Sequence, residues 1–429
     1  MLCVIQACAT SCSGYGAHSR DIIRAIILKY PDWEIKVHDT RWGSTPKNAL
    51  IVGTDDDIIS RILMGPLNRQ PDVFIQITVP NEFQTIGKYN IGITAGIETT
   101  RCAAKWLEGC NIMDLVITTS EHSKSVFEQT DYEIKDKATQ ATVGKLKLDK
   151  PMEVLFEGID RNIYYKTDEK YGQIDTLLST MPEKFAFLFV GHWLKGDMGH
   201  DRKDVGMLIK TFCDTFKGKT NKPALILKTS GAGFSIMDRE SIMNKINLIR
   251  DSDSLPNVYL LHGNVTDGEI NGLYNHKKVK ALISFTHGEG YGRPLAEFAV
   301  SEKPVIAPNW SGHVDFLHKD YSILLPGKLE NVHPSVVWED IIIADSQWFY
   351  VNYFYASQVM KDMFENYKNY LPRAKKQADM INADWTKEKM DNKLKEVLDR
   401  YIPEFPKEMK IKLPTLKKLK PKLNVNLEK

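Results

Sequence analysis

Short apolar runs of strand length alternate along most of this chain with stretches in which apolar residues recur every three or four positions. Residues 2–7 read as a first strand and 33–38 as a second, separated by a helix over 17–29 whose Ile22, Ile23, Ile26 and Ile27 mark one buried face. Strands at 73–78, 90–94, 115–118 and 154–156 continue the series, while the polar, charged interval 130–150 predicts a hairpin or excursion at the surface. The pattern restarts with a strand at 185–190, a helix at 205–216 and strands at 224–228, 258–261, 281–285 and 305–307. After Ser346 the chain turns aromatic and helical, and 381–401 reads as one amphipathic helix. Strand alternating with helix in this way predicts α/β domains with parallel sheets.

A chain of 429 residues exceeds a typical single core, so two domains are expected, with a junction near 171–182. Two such halves imply a ligand-binding cleft between them. No apolar run is long enough to span a bilayer, and the N-terminus carries no basic leader, which points to a cytoplasmic protein without an integral membrane segment. The six cysteines show no paired C-x-x-C spacing and fit a reducing compartment. Cys8, Cys12 and His18 match no zinc pattern. Net charge is +2, but residues 407–429 hold eight lysines against two glutamates, leaving −4 for the remainder. Pro414 and Pro421 disfavour a helix there, so this basic segment reads as a solvated tail, with attachment to nucleic acid or another partner as the sharper reading.

The densest chemistry lies between Ser284 and Leu317. A strand runs into a loop punctuated by Gly288, Gly290 and Gly292, and a helical pattern through Leu295, Phe298 and Ala299 follows. Glycines let backbone approach a ligand, and unpaired amides at a helix start suit an anionic or polar group. Glu289 and Glu297, eight positions apart, are expected to face one pocket at different depths.

This stretch resembles the signature of the retaining, nucleotide-sugar-dependent glycosyltransferases of family 4, E-G-(F/Y)-G-x-P-x-x-E-A followed by G-x-P-V-I-A. The match covers Glu289, Gly290, Tyr291, Gly292, Pro294, Glu297 and the run from Lys303 to Ala307. Phe298, the Ser301–Glu302 pair and Ser311 depart from it, and none of these removes a glutamate. The resemblance implies a GT-B fold: two Rossmann-like domains facing across a cleft, residues 1–175 on the acceptor side and 176–380 on the donor side. A C-terminal helix, about 385–405, would cross back to the first domain.

It also implies roles. Glu289 would hold the donor sugar, Glu297 the ribose, and the amides of Gly290, Tyr291, Gly292 and Arg293 the sugar or phosphate. The loop from Cys12 through Gly14 to Gly16 would face the diphosphate; as a dinucleotide fingerprint it lacks the third glycine, which disfavours a nicotinamide oxidoreductase. Gly191, His192, Arg202 and Lys203 resemble the phosphate-clamp segment G-R-x-x-x-x-K, with His192 at the arginine position and residues 194–201 inserted. Lys203 becomes the clamp, Arg202 or Arg293 replaces the arginine, and Lys228 has a weaker claim. The segment Leu261 to Val265 resembles the F-x-G-x-V loop that recognises the base, bringing in Asn264 and Val265, and Glu157 to Asp160 resembles N-G-V-D with Glu157 for asparagine.

Cations are wanted because breaking a sugar–phosphate bond develops negative charge on the leaving diphosphate. On that chemistry no metal or other cofactor is needed, and Asp55, Asp56 and Asp57 read as first-turn helix charge. The acceptor side offers Glu98, which with Glu289 and Lys203 completes the expected catalytic set; Asn81 and Glu82 are alternatives, and a plain N-cap role remains open for each. The chain is similar in style to phage-encoded members, some of which glycosylate hydroxymethylated pyrimidines in DNA, which makes such a base the expected acceptor; a UDP-sugar is the favoured donor. A cell-envelope glycan or lipid is the second acceptor reading.

Overall fold

The computed structural model describes residues 1–231 and 233–406, so the lysine-rich segment 407–429 lies outside the described residues. The first domain contains strands β1 (Leu2–Ala7), β2 (Glu34–Asp39), β3 (Val73–Ile77), β4 (Tyr89–Thr94), β5 (Leu115–Thr118) and β8 (Met152–Val154). They form one parallel sheet in the order β2-β1-β3-β4-β5-β8. Between β5 and β8, β6 (Asp131–Lys135) and β7 (Thr142–Lys147) make the antiparallel hairpin expected at 130–150.

The second domain repeats the plan with β9 (Ala186–His192), β10 (Ala224–Ser230), β11 (Val258–Leu261), β12 (Val279–Ile283), β13 (Val305–Pro308) and β14 (Ile323–Leu325). Their parallel order is β11-β10-β9-β12-β13-β14. This is the doubly wound order, in which strand direction of progress reverses beside the first strand and opens a crevice at the carboxyl ends. The first domain approximates it, because a single parallel bridge from Val37 to Ile62 stands where its outermost strand would be.

The sequence missed β14, β15 (Gly327–Asn331) and β16 (Gln347–Val351). β14 has three residues, too few for a period, and β15 is largely polar. Paired antiparallel, β15 and β16 reach the first domain: Thr100 N donates to Gln347 O at 2.8 Å and Gln347 N to Thr100 Oγ1 at 2.9 Å.

The chain crosses between domains at two adjacent segments. Ile159 pairs in parallel with Thr386, exchanging hydrogen bonds of 2.9 Å with Trp385 O and Lys387 N. The single helix predicted over 381–401 is therefore two, Leu371–Asp384 and Lys387–Tyr401, broken where Thr386 turns to cap Lys389 N. The earlier helix buries Ile381 in the second domain's core; the later one buries Met390, Leu394, Val397 and Leu398 against Ile22, Ile23 and Ile26 of the first. Ile159, Tyr164 and Ile174, assigned from sequence to the first domain, are also buried in the second core, and helix Gly172–Ser179 occupies the expected junction. Among the described residues no helix is long and apolar enough to cross a membrane, and all six cysteines are unpaired.

Candidate functional site

The glycine loop leaves β12 and ends at Gly292, whose φ of +98° caps helix Arg293–Ala299 in the left-handed region that favours glycine. Glu289 is pinned on both sides of its peptide. Its N–H donates to Ser311 Oγ at 2.9 Å, and its carbonyl accepts from Gly312 N at 2.9 Å. Gly288 and Gly290 are required by the other domain: a methyl group on them would lie 2.1 Å from Glu98 O and 2.0 Å from Ala95 O. Thr119 Oγ1 locks the contact, donating to Ala95 O at 2.8 Å and Gly290 O at 3.2 Å. The glycines read from sequence as room for a ligand thus admit the first-domain loop 95–98.

That loop brings Glu98 to the second domain's cations. Arg202 Nη1 donates to Glu98 Oε1 at 2.6 Å and lies 4.0 Å from Glu289 Oε2, while Lys203 Nζ pairs with Glu289 Oε1. Arg202 and Lys203 sit just before helix Val205–Phe216, and the Arg202 carbonyl accepts from His287 N at 2.9 Å, joining them to the glycine loop. Burial would raise the Glu289 carboxyl, but Lys203 and Arg202 outweigh it and hold the group below its usual range. Arg202 is likewise desolvated, yet Glu98 and Glu289 push it further up.

His192, at the end of β9, has Nδ1 3.1 Å from Gly231 O. Burial, then Arg202 and Lys203, lower its pKa, so the imidazole is neutral and oriented by that carbonyl. Lys228 donates to Gly263 O at 2.8 Å, tying down the loop that carries Asn264 and Val265, and burial lowers its pKa to about 8. Asn264 reaches across the cleft to within 3.7 Å of Cys12 Sγ. Beside it, Gly14 and Gly16 form the first turn of helix Gly14–Lys29, capped by Ser13; the predicted loop is shorter than expected, and a methyl on Gly16 would meet Ser11 O at 2.1 Å.

Glu297 has different partners from Glu289. Its Oε1 accepts from Arg293 Nε at 2.8 Å and its Oε2 from Tyr274 OH at 3.3 Å, and burial raises its pKa to about 7. The two glutamates therefore belong to separate charge clusters, one at each end of the glycine turn. Arg293 does not join the Lys203 cluster, and the Tyr291 ring turns into the core against Phe316, with centroids 4.9 Å apart. Of the alternatives, Glu82 accepts from Thr78 Oγ1 at 2.5 Å within its own domain. Asp55 and Asp57 pair with Arg24. Among the described residues no group of three His, Cys, Asp or Glu side chains is arranged to hold a metal ion.

Sequence reasoning missed Thr119 and Asp21, and it met Ser311 only as a departure from the resembled signature, without its bond to Glu289 N. It also missed His287, whose ring nitrogens lie 2.8 Å from Phe349 O and 3.2 Å from Gly199 O, anchoring β16 and the 194–201 insertion behind the loop. His287 had a local signal in its place immediately before the glycine loop, and Ser311 in its place within the resembled signature.

No family model matches the chain, and no curated protein matches it in sequence. Solved structures do resemble it. Sucrose-phosphate synthase from Thermosynechococcus elongatus superposes with a TM-score of 0.61 at 11% identity, covering 93% of this chain and 98% of that one. A glycosyltransferase from Rickettsia africae gives 0.60 at 13%, covering 94% and 98%. HepE of Anabaena, solved in complex with UDP-glucose, gives 0.60 at 15%, covering 93% and 100%. With two doubly wound parallel sheets and these neighbours, the chain has the GT-B fold.

Proposed function

We propose that the chain is a glycosyltransferase that moves a sugar from a nucleoside-diphosphate donor, UDP-sugar being favoured, to a hydroxyl acceptor with retention of anomeric configuration. The observation that carries this reading is the cluster of Arg202, Lys203, Glu289 and Glu98, which gathers two cations and two carboxylates from both domains at the cleft.

Cleavage of the sugar–diphosphate bond develops positive charge on the ring and one further negative charge on the departing diphosphate. Preplaced cations lower that barrier because they need no reorganisation as the charge develops. In this reading Lys203 and Arg202 receive the diphosphate, the Gly290 to Gly292 amides assist, and Lys228 holds the base loop around Asn264 and Val265. Glu289, freed from Lys203, takes the donor sugar hydroxyls, and Glu297 takes the ribose. Glu98, freed from Arg202, faces the acceptor hydroxyl. The paired crossings at Ile159 and Thr386 serve as the hinge between the domains. HepE, solved with UDP-glucose, supports uracil as the first base to try.

The purified chain incubated with UDP-, GDP- and ADP-sugars should bind and slowly hydrolyse at least one of them. Neither binding nor hydrolysis with any would end this reading.

For the acceptor, the sequence resemblance to phage-encoded members supports a hydroxymethylated pyrimidine in DNA, acting in the host cytoplasm. Incubation of hydroxymethylated duplex with the sugar donors, followed by nucleoside mass measurement, tests it; an unmodified nucleoside profile would redirect attention to glycan or lipid acceptors.

A further inference from the structure

Arg293, expected to help hold phosphate, is instead the centre of a second charge cluster. Its Nη1 donates to Asp21 Oδ2 at 2.7 Å and lies 3.5 Å from Glu157 Oε2, while its Nε donates to Glu297 Oε1 at 2.8 Å. The three carboxylates come from three places: helix Gly14–Lys29 of the first domain, the crossing segment just before Ile159, and the helix that follows the glycine loop. All are withdrawn from solvent, with side-chain exposures of 17% for Arg293, 13% for Asp21, 8% for Glu157 and 7% for Glu297.

Three buried carboxylates repel unless a cation sits among them, and removing that cation leaves each uncompensated. Only a guanidinium suits the geometry, because its rigid fork directs several N–H groups in one plane, whereas an ammonium is a point charge. The contact with Glu297 is a local i,i+4 pair on one helix face, available in any arrangement of the domains. The contact with Asp21 spans 272 positions and joins the second domain to the first. Glu157, where the resembled turn has asparagine, gives the guanidinium a third anchor on the crossing segment itself.

We propose that Arg293 is a positioning residue that acts through Glu297: it fixes the carboxylate that receives the donor ribose and, through Asp21, ties the helix that carries this carboxylate to the first domain. This rests on the glycosyltransferase reading and its ribose role for Glu297. It differs from a phosphate contact because the Nε and Nη1 donors of Arg293 are already committed to carboxylates.

The test uses the full chain and three probes by calorimetry: UDP, 2′-deoxy-UDP and inorganic pyrophosphate. Wild-type protein should bind UDP more tightly than 2′-deoxy-UDP. R293K should lose about tenfold in UDP affinity, the scale of one charge-assisted hydrogen bond, while 2′-deoxy-UDP loses less and pyrophosphate is unchanged. The ribose discrimination then collapses in R293K. D21N keeps the pair between Arg293 and Glu297, so it should weaken UDP by only about threefold and retain the discrimination.

Pyrophosphate and UDP falling by the same factor in R293K would overturn the inference, as would discrimination equal to wild type. A double-mutant cycle of D21N and R293K in thermal unfolding reads the cross-domain arm without nucleotide. The combined drop in Tm should be smaller than the sum of the two, and additivity would overturn the tie to the first domain. Wild-type protein that binds no nucleoside diphosphate would overturn the underlying reading, a result distinct from UDP binding with unaltered discrimination.

Discussion

Glu98→Gln should make the protein bind UDP more tightly while making it a worse transferase. Arg202 is not an open anion site: Glu98 occupies it at 2.6 Å, and the next carboxylate oxygen, on Glu289, is 4.0 Å away. A diphosphate arriving at Arg202 must displace Glu98, so the free energy of that ion pair is subtracted from donor affinity. Pairs exposed to solvent are worth about 0.2–1 kcal/mol. Side-chain exposures of 21% for Arg202 and 25% for Glu98 place this one toward the upper end of that range. Relief of about 1 kcal/mol corresponds to roughly fivefold tighter UDP binding. Titration calorimetry with UDP at low and high salt reads it directly, and the gap between variant and wild type should narrow as salt screens the competing pair. Turnover should meanwhile fall by about 10²-fold if Glu98 orients the acceptor hydroxyl. Weaker or unchanged UDP binding in Glu98→Gln would refute the view that the first domain masks the phosphate clamp.

Glu289→Gln should depress turnover far more than nucleotide affinity and Glu297→Gln chiefly donor affinity, as steady-state kinetics and calorimetry with UDP will report; reversed effects would exchange their roles. Gly290→Ala puts a methyl group 2.0 Å from Ala95 O, so it should destabilise the closed form by about 1–3 kcal/mol and enlarge the radius of gyration in X-ray scattering; an unchanged radius would contradict the direct loop contact. Burial raises the Glu157 carboxyl to about 7, above its ordinary 4.5. Its stabilising contribution is then full below the ordinary value and lost as pH rises through about 7. Glu157→Gln should therefore melt above wild type near pH 8, with the difference shrinking toward about pH 5; a pH-independent difference would show that Glu157 does not titrate in this window.

Local pattern carried most of the architecture. A parallel strand buried on both faces is a contiguous apolar run, so β1 and β5 were readable to the residue, as was the half-buried edge strand β11 from its short apolar run; the polar interval 130–150 showed only that a hairpin or excursion lay there. The glycine-loop chemistry was readable for the same reason, since Glu289, Gly292 and Glu297 sit within one strand–loop–helix unit whose geometry the chain sets locally. Periodicity could not show the break at Trp385, because both halves of the 381–401 stretch are amphipathic and only their separate destinations, one core each, force the turn.

The sequence by itself thus determined two α/β halves, a glycine loop with two glutamates, and the cations available to a diphosphate. Tertiary structure alone decided which charges meet. Arg202 finds Glu98 across 104 positions and Arg293 finds Asp21 across 272, and Gly288 and Gly290 face the backbone of the other domain. A side chain's charge is written in the sequence, but its pairing depends on which surfaces the two folded cores press together, and at distances of 3 to 4 Å that is a property of packing between domains.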